Sequence, residues 1–233
     1  MTPHVLDNPI WESLVNRHRS LALRRGDVAR YPADVAPFLA VAAAGIEDGA
    51  ALELLVAADE SVYVLGPTPS VPEGWRLDKL AMLAQMVCPA RVAEVDGPAI
   101  IELTDVHRAD VLELTALVYP HYFRPRTMEL GRYFGIYQDG RLAAMIGERM
   151  GMDAWQEISA VCTHPDFNGR GYARHLLAWL SNDNLERGRT PFLHVSPDNQ
   201  RAVRLYEQAG YHHRPGIPFW SLRRGGWSTA RRS

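Results

Sequence analysis

His164-Pro165-Asp166-Phe167-Asn168-Gly169-Arg170-Gly171-Tyr172-Ala173 stands between an apolar, strand-like run (residues 157–163) and a helical pattern over residues 173–186. Small residues let a backbone turn tightly and bring its N–H groups close to a ligand. The helix beyond adds unpaired N–H donors and the positive end of its dipole. Together they predict an anion site suited to a pyrophosphate. No Gly-Lys-Ser/Thr follows the glycines, so this is not a Walker loop. A third glycine is missing and the neighbouring strands read as antiparallel, so it is not a dinucleotide fingerprint either.

Working outward, residues 99–103 read as a strand, and Thr104 can cap a helix carrying Val111, Leu112, Leu114, Leu117 and Val118, which Pro120 stops. Strands are expected at 133–137 and 142–150, joined through the hairpin signal Gln138-Asp139-Gly140. Residues 157–163 pair back through a turn at 151–155. After the central loop come a helix (173–186), a strand (191–195), a helix (199–209) and a final strand (219–223). Antiparallel hairpins followed by a β-α-β-α run predict a mixed, mostly antiparallel sheet flanked by helices, an α+β class.

The first half is less regular. An amphipathic helix is expected from Asn8 or Pro9 to about Arg24, with Ile10, Leu14 and Leu21 on its apolar face. Residues 52–57 and 61–65 resemble strands, 66–74 a loop, and 77–87 has helical spacing at Leu80, Leu83, Ala84 and Val87. The pattern loosens at 89–98, which divides the chain into an N-terminal α/β half (1–95) and a second domain (98–226).

The 233 residues are 47% hydrophobic and 22% charged, enough for a sizeable core. A net charge of −2 makes nucleic acid a poor default partner. The basic ending, Arg223, Arg224, Arg231 and Arg232, reads as a solvated tail. Cys88 and Cys162 form neither a disulfide framework nor a metal pattern. No segment resembles a signal peptide or reaches the eighteen or so apolar residues of a membrane span, and the expected location is cytoplasmic.

The run Ile158-Ser159-Ala160-Val161-Cys162-Thr163-His164-Pro165, continuing into Asn168-Gly169-Arg170-Gly171-Tyr172-Ala173, resembles the GNAT acyl-CoA N-acyltransferases. Their Gln/Arg-x-x-Gly-x-Gly/Ala signature falls on Asn168, Gly171 and Ala173. Asn199, Ala202, Leu205, Tyr206, Gly210 and Tyr211 match a second family element. The likeness spans residues 99–224. The Val-Cys-Thr-His-Pro run and Arg126-Thr127-x-Glu129-Leu130-Gly131 resemble the glycine-acyltransferase-like branch, whose first half is often a degenerate copy of the fold. Asn168 departs from the family pattern: it reaches less far than Gln or Arg and carries no charge, so the grip should rest on backbone N–H groups with Arg170 or Arg174 nearby.

The resemblance implies a GNAT fold and acetyl transfer from acetyl-CoA, as cosubstrate, to an amine in a ternary complex without a metal. The amine would be a small molecule or a peptide, and the protein a monomer or homodimer. Val161, Cys162 and Thr163 would pair with pantetheine, and a backbone N–H near Val161 or Cys162 would steady the oxyanion. Asn168, Gly169, Arg170, Gly171, Tyr172 and Ala173 would cradle the pyrophosphate. Asn199 would bond the pantetheine arm beside Ala202, and Tyr206 would protonate the leaving thiolate. Helical spacing independently turns Tyr206 inward with Ala202, Leu205 and Ala209.

A base must take the amine proton. If Met150 faces Trp155, Glu148 faces Glu157 across the hairpin, and repulsion would raise one carboxyl into the working range. Neutralisation by Arg149, or a one-residue slip, would remove that effect. Cys162 reads as a packing residue, and His164 as a loop-shaping one. His212-His213 lacks metal-ligand company. In the segment 119–131, which holds His121, Tyr122 and Phe123, Arg124 and Arg126 could receive a carboxylate on the acceptor. The competing reading is a catalytically silent acyl-CoA-binding sensor or scaffold.

Overall fold

The computed structural model describes residues 4–118 and 122–225. Sixteen helices and strands follow one another in the order α1 (Pro9–Val15), β1 (Leu23–Arg25), β2 (Val28–Arg30), β3 (Leu39–Val41), α2 (Gly49–Leu55), β4 (Ser61–Leu65), β5 (Trp75–Val87), β6 (Ile101–Leu103), α3 (Arg108–Val118), β7 (Tyr133–Gln138), β8 (Arg141–Gly151), β9 (Trp155–Thr163), α4 (Tyr172–Glu186), β10 (Thr190–Val195), α5 (Gln200–Gln208) and β11 (His212–Arg224). The strands form a small sheet, β1-β2-β3, and an eight-stranded sheet ordered β4-β11-β5-β10-β9-β8-β7-β6. In the large sheet β10 runs parallel to β9, and the other neighbours are antiparallel. This is the mixed, mostly antiparallel α+β sheet that the hairpin pattern predicts. Strands β4 and β5 of the first half sit in the same sheet as the strands of the second.

Alternation along the strands divides the core. On one face Leu176, Leu177 and Leu180 of α4 and Val203 of α5 pack on Met86, Ile158 and Leu193. On the other, Leu6, Ile10, Leu14, Tyr31 and Phe38 pack on Met150, Phe192 and Ile217. Leu193 and Phe192 are chain neighbours on opposite faces, as the two-residue repeat of a strand requires. Each fully buried Leu or Phe side chain contributes about 1.5–3 kcal/mol.

Four expectations are corrected. The first helix ends at Val15, well short of Arg24, because His18 turns inward to hydrogen-bond Ser13 Oγ at 3.0 Å and the Tyr31 hydroxyl at 2.9 Å. Residues 49–55 are helix α2 rather than part of a strand; Asp48 caps it by accepting the Ala51 N–H at 2.9 Å. Residues 75–87 are strand β5, not a helix. Its apolar residues lie on both sides of the sheet, Met86 on one and Leu83 and Val87 on the other, and that doubled pattern mimics helical spacing. The last strand covers 212–224, longer than expected, because bulges absorb Pro215 and Gly216 between its paired segments.

The 138–140 hairpin forms as expected, with Asp139 and Gly140 both at positive φ (53° and 74°). Pro120, His121, Arg231 and Arg232 lie outside the described residues. Among the described residues no helix is long and apolar enough to cross a membrane.

Candidate active site

Strands β9 and β10 are paired only where Trp155, Gln156 and Glu157 lie opposite Thr190, Pro191 and Phe192. Beyond that point β10 stays with β5 (Val195 opposite Ala84), and β9 stays with β8 (Cys162 opposite Met145, Thr163 opposite Ala144). The strands therefore part, and one edge of residues 158–163 keeps its N–H and C=O groups for an extended ligand. The β9 register shifts between Cys162 and Ser159, and Ala160 between them has φ 50°. A non-glycine residue there is strained by about 1–3 kcal/mol, and such bulges re-aim backbone groups beside functional openings.

The strand then enters a 3-10 turn, Pro165–Phe167, whose Phe167 ring is buried and flanked by the guanidinium groups of Arg141 and Arg170, each 4.9 Å from its centroid. Gly169 and Gly171 both have φ 79°, and Gly171 is the left-handed N-cap of α4 with no side-chain cap. The first-turn N–H groups of α4 are thus uncapped by any side chain. A Cβ added at either glycine meets no atom within 4 Å, so the loop opens outward. Asn168 Oδ1 accepts a bond from Arg201 Nη2 of α5 at 3.4 Å. A guanidinium thus stands beside the short side chain that departs from the family signature.

On the opposite face lies a cleft of about 290 Å³, mouth included, with only about 10 Å³ enclosed. Its walls carry the rings of Phe38, Tyr122, Phe123 and Tyr133, the Arg149 guanidinium and the Ala160 bulge. Phe38 and Tyr122 stack at 6.5 Å with planes 15° apart, and Phe123 meets Tyr133 edge-on at 5.7 Å. Position 147 must be glycine, because a Cβ there would come within 2.2 Å of the Tyr133 ring. Arg149 lies 5.0 Å over the Phe38 ring and donates to both Glu157 oxygens at 2.6 and 2.7 Å.

Behind Arg149 runs a buried polar chain. Glu157 accepts from His194 Nδ1 at 2.7 Å. His194 Nε2 meets the Gln85 amide nitrogen at 2.8 Å, and that nitrogen also donates to Leu6 O. Gln85 Oε1 accepts from Arg214, which reaches Asp7 at 3.2 Å. These partners assign the His194 proton to Nδ1. Burial alone would push the Glu157 carboxyl up, but Arg149 and then His194 outweigh it and hold its pKa down at about 2.

The expected carboxylate pair is therefore corrected. Glu148 lies opposite Ile158, not Glu157, because irregularities on both sides of that pairing shift the register. Glu148 pairs with Arg132 at 2.5 Å and Glu157 with Arg149, so each carboxylate has its own guanidinium partner. Cys162 is buried, and desolvation pushes its thiol up to about 12, which keeps it unreactive near neutral pH. Arg126 is occupied by Glu129 and Asp34. Arg124 Nε is buried without a hydrogen-bond partner, and neither arginine lines the cleft. Asn199 caps α5 by accepting the Ala202 N–H at 3.1 Å. Tyr206 is buried in the same cluster as Ile158 and Val195, its ring 6.0 Å from Tyr211. Sequence reading missed His194 and Phe38. A histidine inside the apolar strand Thr190–Val195 was a usable signal; Phe38, distant in sequence, offered none. Among the described residues no group of three or more His, Cys, Asp or Glu is placed to hold a metal.

A protein of Novosphingobium aromaticivorans, described as an acetyltransferase from the GNAT family, is 31% identical to this chain. The match covers 96% of this chain and 100% of the other, with a TM-score of 0.85. The chain belongs to the GNAT family. A family description, FR47-like protein, matches residues 133–218, which hold β7 to β10, the glycine loop and α5. Two more distant GNAT-type structures share the fold. The GCN5-related N-acetyltransferase of Kribbella flavida is 18% identical, covering 94% of this chain and 97% of its own, with a TM-score of 0.59. A GCN5-related N-acetyltransferase-like protein from Streptococcus suis is 16% identical, covering 85% of each chain, with a TM-score of 0.51. No curated protein matches the chain.

Proposed function

We propose that this GNAT protein is an acyl-CoA-dependent N-acyltransferase that moves an acetyl group from acetyl-CoA directly to an amine. The observation that carries the reading is the parting of β9 from β10 immediately before the glycine loop that opens α4. The free edge at Val161, Cys162 and Thr163 would take the pantetheine arm, with Asn199 and Ala202 beside it. Asn168, Gly169, Arg170, Gly171, Tyr172 and Ala173 would hold the pyrophosphate through backbone N–H groups. Arg201 adds charge at that loop. Tyr206 would give its proton to the leaving thiolate.

A carboxylate held near pKa 2 is a weak base at neutral pH. Glu157 therefore acts in this proposal by fixing Arg149 and His194, and Glu148 by fixing Arg132. Residues 98–226 form the acyltransferase domain. Residues 1–95, resembling the degenerate half of the glycine-acyltransferase-like branch, supply two sheet strands and the Phe38 wall.

Acetyl-CoA should raise the melting temperature where ATP and NAD do not. Thiol release should depend on added amine. Tyr206→Phe should lower kcat by about 10²–10⁴ with KM for acetyl-CoA nearly unchanged. Acetyl-CoA binding with no turnover on any amine would move the assignment to a silent sensor.

A further inference from the structure

We propose that the acceptor is a flat aromatic amine that enters as the neutral base, its ring held between Phe38, Tyr122, Phe123 and Tyr133; this rests on the acetyltransferase reading above. Three observations on the cleft converge on that class.

The first is shape and surface. Four rings line one cleft, and the enclosed space is about 10 Å³, room for roughly one water. Any acceptor body must part the rings, and a thin planar one parts them least. Offset and edge-on contacts between aromatic rings then favour an aryl group over an alkyl chain of equal area.

The second is charge. Among the described residues lining the cleft none is Asp or Glu, and the charged group on its wall is the Arg149 guanidinium. Glu157 lies behind Arg149 and is completely buried, so its carboxylate offers nothing to a bound ammonium. An alkylamine, with a pKa near that of lysine at roughly 10.4, arrives protonated and finds no carboxylate on the lining to hold it, the Arg149 guanidinium there being already paired with Glu157. An arylamine, whose lone pair is delocalised into its ring, is neutral at physiological pH.

The third is proton balance. Acylating an ammonium requires a base to remove a proton before attack, and Glu157 is held too low for that task. A neutral arylamine needs no such step. Its nitrogen lone pair attacks the thioester carbonyl carbon, the N–C bond forms and the C–S bond breaks. One N–H proton ends on the CoA sulfur, giving the N-acetylarylamine and CoA thiol with no base consumed. Ala160, on the cleft wall and in the β9 bulge, places the ring beside the strand edge assigned to the thioester.

The test measures thiol release by the full chain with saturating acetyl-CoA, comparing aniline and 4-methoxyaniline with benzylamine and cyclohexylamine from about pH 6 to pH 9. The arylamines should lead in kcat/KM by about tenfold or more at neutral pH and show no dependence on pH. Benzylamine should gain about tenfold per pH unit as its neutral fraction grows. Phe38→Ala should raise KM for aniline about threefold to tenfold and leave KM for acetyl-CoA unchanged, with Phe38→Leu intermediate. Preference for benzylamine or cyclohexylamine at neutral pH would overturn the proposal while leaving the acetyltransferase reading intact. So would a Phe38→Ala effect equal on both KM values. Release with none of the four amines, although acetyl-CoA raises the melting temperature, would overturn the aromatic-amine proposal, and release with a peptide amine in the same assay would keep the acetyltransferase reading.

Discussion

At the glycine loop of residues 168–173 the two glycines border open space and no side chain caps the first turn of α4. In the cleft beside β8 the reverse holds: rings and a guanidinium face the space, and each is braced from behind. Gly169 and Gly171 touch nothing a Cβ would displace, whereas Gly147 is required by the Tyr133 ring. The loop is locally specified and tolerant. The cleft is assembled from both halves of the chain and depends on a buried ion-pair chain. Substitutions should therefore act on ligand affinity at the first region and on the fold at the second.

The largest expected effect breaks the buried chain. Glu157→Ala leaves Arg149 and His194 without their shared partner inside the core, and should cost about 3–5 kcal/mol in denaturant unfolding. Combining it with Arg149→Met should recover a large part, because the uncompensated charge is then gone. Equal losses in the single and double variants would show that the chain matters through packing rather than charge.

The acid response sharpens the contrast further. Burial holds the His18 pKa down at about 4, from an ordinary value of 6.5. Its folded pKa is depressed, so the unfolded chain binds the proton first. Stability is complete above pH 6.5 and falls as pH drops towards 4, by about 3 kcal/mol in all. Glu157 adds a second loss at lower pH, from the ordinary carboxylate range down to about 2. Unfolding measured across pH 7 to 4 should show this slope, at about those limits, and His18→Gln should flatten it.

Both contributions come from the face covered by the first half, where sequence reading was weakest. The loop and the 138–140 hairpin were legible because their signals are local: glycines at left-handed positions, and a two-residue turn between alternating strands. Strand β5 was not, because it carries apolar residues on both of its faces, Leu80 and Met82 among them exposed, and that pattern also fits helical spacing. The register of Glu148 and Glu157 failed for a related reason. Bulges reset pairing by single residues, and nothing in the local sequence marks the irregularity between Glu148 and Gly151 that puts Glu148 opposite Ile158. Phe38 lies far along the chain from Tyr133 and Arg149, and only the shared sheet brings them together. Arg149 was foreseen as a neutralising partner, whereas His194 and Gln85 were not. They lie opposite each other on β10 and β5, strands that are far apart in sequence.

At the loop, Gly171→Ala should be felt twice. An alanine held in the left-handed region costs about 1–2 kcal/mol of stability. The strain also displaces the first-turn N–H groups of α4, so KM for acetyl-CoA should rise while the pH dependence of stability set by His18 stays as it was. A change in that pH dependence would mean the two regions are coupled, contrary to the division drawn above.

The smallest effect tests whether charge has been relocated at the loop. Asn168 is short and neutral where the family pattern has Gln or Arg, and Arg201 reaches its oxygen from α5. Both side chains are exposed, so a charge contact there is screened by salt and contributes modestly to binding. Arg201→Ala should raise KM for acetyl-CoA about twofold to fivefold at low ionic strength, with the difference shrinking as salt is added. Asn168→Arg in the Arg201→Ala background should restore the affinity if the two positions serve one phosphate group. If the double variant stays weak, Arg201 instead serves the part of CoA nearer α5. Assay with 3′-dephospho-CoA thioester would then show it, because that substrate would be indifferent to Arg201→Ala.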